Sequence, residues 1–468
     1  MDANDLEWNR LSRRTLLRRA LGTGVSIPLF ELAAAAQQKP PVEQKPAEPV
    51  TTATPAAENA PPVQKEIQTS VGVKISQDDD QFLEELEKAN FQYFWDQSDP
   101  DTGLVKDRCN VRGPDNTTVA SIAATGFGLT AFCIGHKRGY VSRADAEKKV
   151  LTAFRFLWKK MPTHRGFFYH WADVKTGERI WDSEVSSIDT AMLLCGVLTC
   201  RQHFRNPQII RLARDIFNRV EWTWLSEDTT LLPHGWSPEG GFLPYRWDLY
   251  SELMMMYLLG MGSASHPLTA DVWTAWKRQT FEYDGLRYIG SYAPLFVHQY
   301  SQAWFDFRGQ RDKYADYFRN SQIATEAHRL FCLELSKQFP DYSDDLWGIT
   351  ASDSDKGYVV WGGPPKMGPI DGTVVPSAPG GSLPFLPLKT LRVLKNMKEK
   401  YAPNSWCKYG FVNAFNPLKN WYDTDVIGID TGITMLMAEN LRTAFVWETF
   451  MKNREAKTAL ERAGFARY

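Results

Sequence analysis

Residues 188–198 read Ile-Asp-Thr-Ala-Met-Leu-Leu-Cys-Gly-Val-Leu, so a helix here has almost no polar face to turn toward water. A helix that is apolar all round must be buried on every side. Just ahead of it, Trp181-Asp-Ser-Glu-Val-Ser-Ser187 supplies an indole, two carboxylates and serines fit to cap a helix. Acids at the mouth of a fully buried helix stand at the rim of a closed core, where a ligand can reach them.

The same arrangement recurs along the chain. Residues 119–136, 186–200, 249–261 and 433–441 read as apolar helices, whereas 82–95, 142–160, 207–225 and 384–400 have the spacing of amphipathic ones. Residues 269–283 and 312–338 read as more polar helices, and 442–463 closes the chain with charge. Continuous β-branched runs of strand length are scarce. Two concentric layers account for this pattern, with apolar helices around an axis and amphipathic helices shielding them from water. The expected fold is therefore an all-α toroid. A helical solenoid would need a fixed repeat period, and none is visible.

The first 77 residues read differently. Residues 1–38 hold Ser12-Arg13-Arg14-Thr15-Leu16-Leu17, a short apolar run and four consecutive alanines, the pattern of a twin-arginine-type signal peptide. The apolar run is too short to span a bilayer. Residues 39–77 begin with a Pro/Ala-rich stretch expected to be a disordered linker, and the catalytic domain is expected over 78–468. The protein is thus expected to use the Tat export machinery in transit and to reside in the periplasm or outside the cell.

With 54 Lys+Arg against 55 Asp+Glu, the charge balance argues against nucleic acid as a partner. The 17 Trp, many beside acids and glycines, suggest platforms for the flat, weakly polar faces of sugar rings. Six Cys in a chain this long make no disulfide scaffold, and Cys133, Cys195 and Cys200 sit in apolar runs where Cys acts as a small hydrophobe. No Cys-x-x-Cys or His-x-x-x-His spacing points to zinc, and no P-loop, dinucleotide fingerprint or Gly-x-Ser-x-Gly elbow is present. Neither a metal nor a cofactor is expected.

Long, aromatic, acidic connections lead into the apolar helices, and at one end of a toroid they would line a single cleft. Hydrolysis of a glycosidic bond needs one protonated carboxyl at the leaving oxygen and one ionised carboxylate acting on water or on the sugar. Burial raises the pKa of the first, and hydrogen bonds keep the second charged. Glu252, the lone ionisable group in its apolar helix, is the candidate acid; the alternative is a buried Glu satisfied by Arg246. Asp430 is the candidate base; the alternative is a cap for the last apolar helix. Asp182, Glu184 and Asp189 are expected to bind hydroxyls or orient water, with dipole compensation the other role for Asp189. His170, His298 and Tyr300 offer hydrogen bonds to sugar hydroxyls, and Trp171, Trp181, Trp247 and Trp304 offer stacking faces. Asp306 and Arg308 either bind substrate or pair with each other.

The run Ser251-Glu-Leu-Met-Met-Met-Tyr-Leu-Leu-Gly-Met-Gly-Ser-Ala-Ser-His-Pro267, with His298-Gln-Tyr-Ser-Gln-Ala-Trp-Phe-Asp-Phe-Arg308 and Ile429-Asp-Thr-Gly432, resembles the bacterial glycoamylase-like domain. That group includes the endo-β-1,2-glucanases of glycoside hydrolase family 144, and the similarity extends over about residues 80–465. Thr431 and Ile433 stand where the family more often has Gln and Pro. The resemblance implies an (α/α)6 toroid and an inverting mechanism without metal. It places Glu252 at the acid, Asp430 at the base, and Glu184 and Asp189 among the cleft carboxylates. A monomeric, exported glycoside hydrolase acting on an oligo- or polysaccharide, β-1,2-glucan above others, is the resulting expectation. A transglycosylase or exo-acting enzyme on the same glucan, or a non-catalytic glycan-binding protein on this scaffold, are the alternatives.

Overall fold

The computed structural model describes residues 66–468; the expected signal at 1–38 and the linker up to residue 65 lie outside the described residues. The linker expected over 39–77 ends earlier, because residues 66–76 already belong to the fold. Strands Glu66–Gln68 and Lys74–Ser76 pair antiparallel with Ile67 opposite Ile75, and the backbone N–H of Ser70 donates to the Leu441 carbonyl. Ser76 then caps the helix Gln77–Gln97 in a reciprocal box with Asp79. The Ser-x-x-Asp spacing and the paired isoleucines outweigh the polar composition of this segment.

Four apolar helices form most of an inner ring: Ile122–Arg138, Ser187–Phe204, Leu253–Gly262 and Gly428–Thr443. Two 3-10 turns, Leu295–His298 and Tyr300–Ala303, and the one-turn helix Ser377–Gly380 complete it. All ten residues of Leu253–Gly262 are buried, as its lack of a polar face requires. The Ile122–Arg138 and Ser187–Phe204 helices touch backbone to backbone. A Cβ on Gly196 would lie 2.2 Å from the Gly126 carbonyl oxygen, and one on Gly126 would lie 2.4 Å from that of Met192. Any side chain at either position would force the pair apart, and no flexible atom is there to yield.

The inner elements run parallel. Gly126 meets Met192 near one end of the first pair, and the Cys133 and Cys200 sulfurs lie 3.6 Å apart near the other. Gly428 faces Ala124 and Gly432 faces Phe127, while Glu439 accepts from Arg138 at 2.6 Å at the far end. The C-terminal ends of Ser187–Phe204 and Leu253–Gly262 converge on one residue: Arg201 donates to Glu455 at 2.9 Å, and Gly262 abuts the Glu455 backbone. The N-termini of the ring therefore open at one end of the molecule.

The outer layer includes Gln77–Gln97, Arg143–Lys159, Pro207–Asn218, Tyr317–Leu335 and Pro387–Tyr401. Arg143–Lys159 buries Val150, Ala153, Phe154 and Leu157 on one face and is capped by Ser142. Pro207–Asn218 has Asn206 as its cap and Pro at the first helical position. The helix expected over 269–283 is limited to one turn, Val272–Ala275. Beyond it, Gln279–Tyr283 pairs with Leu286–Gly290 through Asp284 and Gly285, whose φ values are 50° and 73°. An Asp-Gly pair with both φ positive matches the twist of a hairpin, and it prevails over the weak helical spacing. Among the described residues no helix is long and apolar enough to cross a membrane.

Candidate active site

At the open end, the helix Ser187–Phe204 is capped by Ser186, whose hydroxyl accepts from the Asp189 N–H and donates to the Asp189 carboxylate at 2.6 Å. The His170 imidazole lies between two acids, with Nδ1 3.5 Å from Glu184 and Nε2 3.4 Å from Asp189. Its backbone joins the neighbouring helix entrances: the His170 carbonyl accepts from Ile122 N–H, and its N–H donates to the Glu184 carbonyl. The Trp171 ring stacks on His170 at 4.1 Å and meets Trp181 edge-on at 5.9 Å. Trp181 is 48% exposed, so this aromatic and acid group reaches from the buried helix mouth to solvent. Trp181 and Asp182 both adopt positive φ, at 55° and 48°, and Asp182 stands exposed beside the indole.

Glu252 occupies the entrance of Leu253–Gly262 and is 5% exposed, without capping that helix through its side chain. Ser301 from the adjoining 3-10 turn does so instead: its hydroxyl accepts from the Met255 N–H at 3.0 Å and donates to the Glu252 carbonyl at 2.9 Å. A cap supplied by a neighbour satisfies an orphan donor without using the Glu252 carboxyl. Arg246 is committed to Glu227 at 2.6 Å.

Asp430 lies in the first turn of Gly428–Thr443, where Ile427 is the N-cap. Its carboxylate is turned to neighbours: Ser377 donates to Oδ1 at 3.2 Å and Asn413 Nδ2 donates to Oδ2 at 2.7 Å. Two donors and a helix N-terminus favour the ionised form. The carboxylate also borders a cavity of about 20 Å³ lined by Asn90, Asn413, Thr431 and Thr434, about the room one water needs. Hydrogen bonds fix the segments on either side of the two acids. Ser301 holds Glu252, nearby Gln299 donates to the Ala378 carbonyl and to Ser382 at 2.8 Å each, and Ser377 holds Asp430.

Behind Asp430 stands a cluster that no local spacing announces. Arg108 bonds Asp353 at 2.7 Å and lies 3.2 Å from Asp107 and 3.6 Å from Asp425. Burial works against its charge, but Asp353, Asp107 and Asp425 more than offset that and hold the guanidinium firmly charged. Asp423 is pushed well above the usual carboxylate range by burial and by Asp353 and Asp425 beside it. Burial likewise raises Asp425, with Asp353 adding to the effect. The strand Asp425–Ile427 pairs with Arg108–Asn110, and that pairing brings these residues together across the chain. Among the described residues no group of three or more His, Cys, Asp or Glu side chains is arranged to hold a metal ion.

Several expected site residues lie elsewhere. Asp306 and Arg308 pair with each other at 2.8 Å, and the guanidinium rests over Trp447 and donates to the Ser70 carbonyl, at the closed end of the ring. Trp304 is wholly buried and its indole donates to Thr130, which makes it core. His298 is buried against Tyr250 and Tyr288, and burial together with His328 pushes it down to about 3, so the ring is neutral. It faces the Tyr317–Leu335 side, in a small cavity with His328 and Ala324. Tyr300 packs on Phe127 and Phe296 in the wall of the ring. Trp247 stacks on His234 at 4.1 Å and donates to Ser187, lining the entrance from within. Asn413 and Ser377 were the residues sequence reading missed; a single Asn or Ser in a loop carries no local signal of its distant partner.

The family described as Glycoamylase, "Putative glucoamylase", matches residues 244–454. The chain is similar to a "putative glucoamylase" from Bacteroides uniformis at 30% identity, over 83% of this chain and 98% of that one, with a TM-score of 0.78. It is similar to the endo-β-1,2-glucanase of Chitinophaga pinensis, solved with sophorotriose and glucose, at 29% identity, over 83% of this chain and 98% of that one, with a TM-score of 0.77. It is also 26% identical over 423 residues to an exo-β-1,2-glucooligosaccharide sophorohydrolase (non-reducing end) of Parabacteroides distasonis. That match takes in 82% of this chain, which spans 58% of the relative's length.

Proposed function

We propose a function from one premise: the chain belongs to the bacterial glycoamylase-like family. It is a glycoside hydrolase that cleaves β-1,2-glucan by general acid–base catalysis. The observation that carries this reading is the siting of Glu252 and Asp430 at the entrances of parallel inner helices, at one end of the ring. Glu252, nearly enclosed and uncommitted to its helix cap, delivers a proton to the departing glycosidic oxygen. Asp430, held by Ser377 and Asn413, stays ionised and draws the proton from the attacking water, directly or through a sugar hydroxyl. Because water, not a carboxylate, attacks the anomeric carbon in this scheme, a single displacement inverts that centre. Glu184, Asp189 and His170 bind hydroxyls, and Trp171 and Trp181 present faces for sugar rings.

The linkage follows from the named activities of the Chitinophaga and Parabacteroides relatives, one endo-acting and one exo-acting. A panel of β-1,2-, β-1,3-, β-1,4- and α-1,4-glucans, scored for new reducing ends, tests it. Release from β-1,2-glucan alone is expected. Turnover of the α-1,4 polymer instead would overturn the linkage, and silence on every glucan would leave a glycan-binding protein. Product length separates the modes, because an exo enzyme yields one short product from the outset.

Export is a further part of this reading, supported by Arg13-Arg14 and the apolar run that follows them. Replacing both arginines by lysine should retain the protein in the cytoplasm. An unchanged distribution in cell fractions would remove the twin-arginine route.

A further inference from the structure

Asn413 is 3% exposed and stands between two groups whose hydrogen-bonding roles leave it one orientation. The backbone N–H of Asp353, which can only donate, reaches Asn413 Oδ1 at 2.8 Å. The amide nitrogen must then point the other way, and it meets Asp430 Oδ2 at 2.7 Å. The Asn413 backbone is fixed as well, its N–H donating to the Asp425 carbonyl. Asp353 is in turn anchored by Arg108 at 2.7 Å. A buried amide held at both ends cannot flip to offer its oxygen to the carboxylate without orphaning two polar groups.

We propose that Asn413 is a positioning residue for the reaction: oriented by Asp353, it presents only N–H to Asp430 and so keeps that carboxylate aimed and ionised. This rests on the assignment of Asp430 as the base. The alternative, a plain structural asparagine, would tie the loop to the helix without affecting the protonation of Asp430. The charged and titratable groups around Asp430 make the distinction readable. Asp353 and Arg108 lie beyond Asn413, Asp425 starts one of the paired strands leading in with Asp107 and Asp423 just ahead of them, and Tyr93 abuts Gly428 from the outer helix. Ser377 flanks the ring side, and the next carboxylate along Asp430's own helix is Glu439 at its far end. Burial with Asp353 and Asp425 pushes Asp423 above the usual carboxylate range, and the Asn413 N–H works against such a rise at Asp430.

The test is the pH dependence of kcat/KM on β-1,2-glucan for wild type, Asn413→Asp, Asn413→Ser and Asp430→Asn, with melting curves for each. Asn413→Asp keeps the shape and still accepts from Asp353, but sets a second carboxylate against Asp430. A like charge at that distance raises the pKa of the base, so the acidic limb should move up by about 1 unit or more. Asn413→Ser removes the donor without adding charge and should shift the limb in the same direction by less. In both, kcat should fall while KM changes little. If Asp430→Asn is inactive and both Asn413 variants, folded as wild type, keep the wild-type acidic limb, the positioning role is overturned. If Asp430→Asn keeps the wild-type rate, the base assignment itself fails, a distinct result.

Discussion

Glu252→Gln is expected to lower kcat on β-1,2-glucan by about 10³-fold, within the span that a positioned general acid supplies. KM and melting temperature should be little changed. Gln fills the same volume, and the helix entrance it occupies is capped by Ser301 and not by the carboxyl. What is lost is a proton available only to the departing oxygen, an interaction present in the transition state and absent in the bound substrate. A sophoroside with a phenol-type leaving group, which departs as a stable anion, should regain most of its rate in this variant. The basic limb of the pH profile should also vanish, because the group whose deprotonation it reports is gone. Wild-type release of reducing ends by Glu252→Gln would remove this residue as the acid and direct attention to Glu184.

Asp430→Ala should likewise lose about 10³-fold in kcat, but with the opposite chemical signature. A better leaving group should not rescue it, since bond breaking is not what the base assists. Azide, a nucleophile that needs no deprotonation, should restore turnover and give a glycosyl azide of α configuration, as inversion at a β-linked centre requires. The substitution leaves the Asn413 amide without its partner in a buried site, at a cost of about 1–3 kcal/mol in stability. A modest fall in melting temperature is therefore expected alongside the kinetic loss. A β-configured azide would show retention and end the single-displacement reading.

The two candidate acids stand out in the sequence for one reason. Glu252 and Asp430 each interrupt or introduce an apolar helix, where a charge is costly unless it is paired or put to use. The sequence also allowed Asp430 as the helix cap; the structure gives that position to Ile427 and turns the Asp430 carboxylate to Ser377 and Asn413. Asp306 and Arg308 fail for the converse reason. They share a segment with Ser301, which caps the Glu252 helix at the open end, but the chain runs on along the depth of the ring and carries Arg308 to the Ser70 carbonyl at the closed end. Trp304 illustrates how little residue type says about exposure, since its indole satisfies a core threonine. The hairpin at 279–290 was signalled by Asp284-Gly285, a turn code that the helical reading of 269–283 overlooked.

By itself the sequence determined the layering, because a helix with no polar face leaves only the interior open to it, and one with a polar stripe must sit outside. It determined as well that acids lie where inner helices begin. Which acids share a site, and what surrounds them, was decided only by tertiary structure. Arg108, Asp353, Asn413 and Asp430 are brought into one hydrogen-bonded line from points up to hundreds of residues apart, and hydrogen bonds between such distant residues leave no periodic trace in the chain.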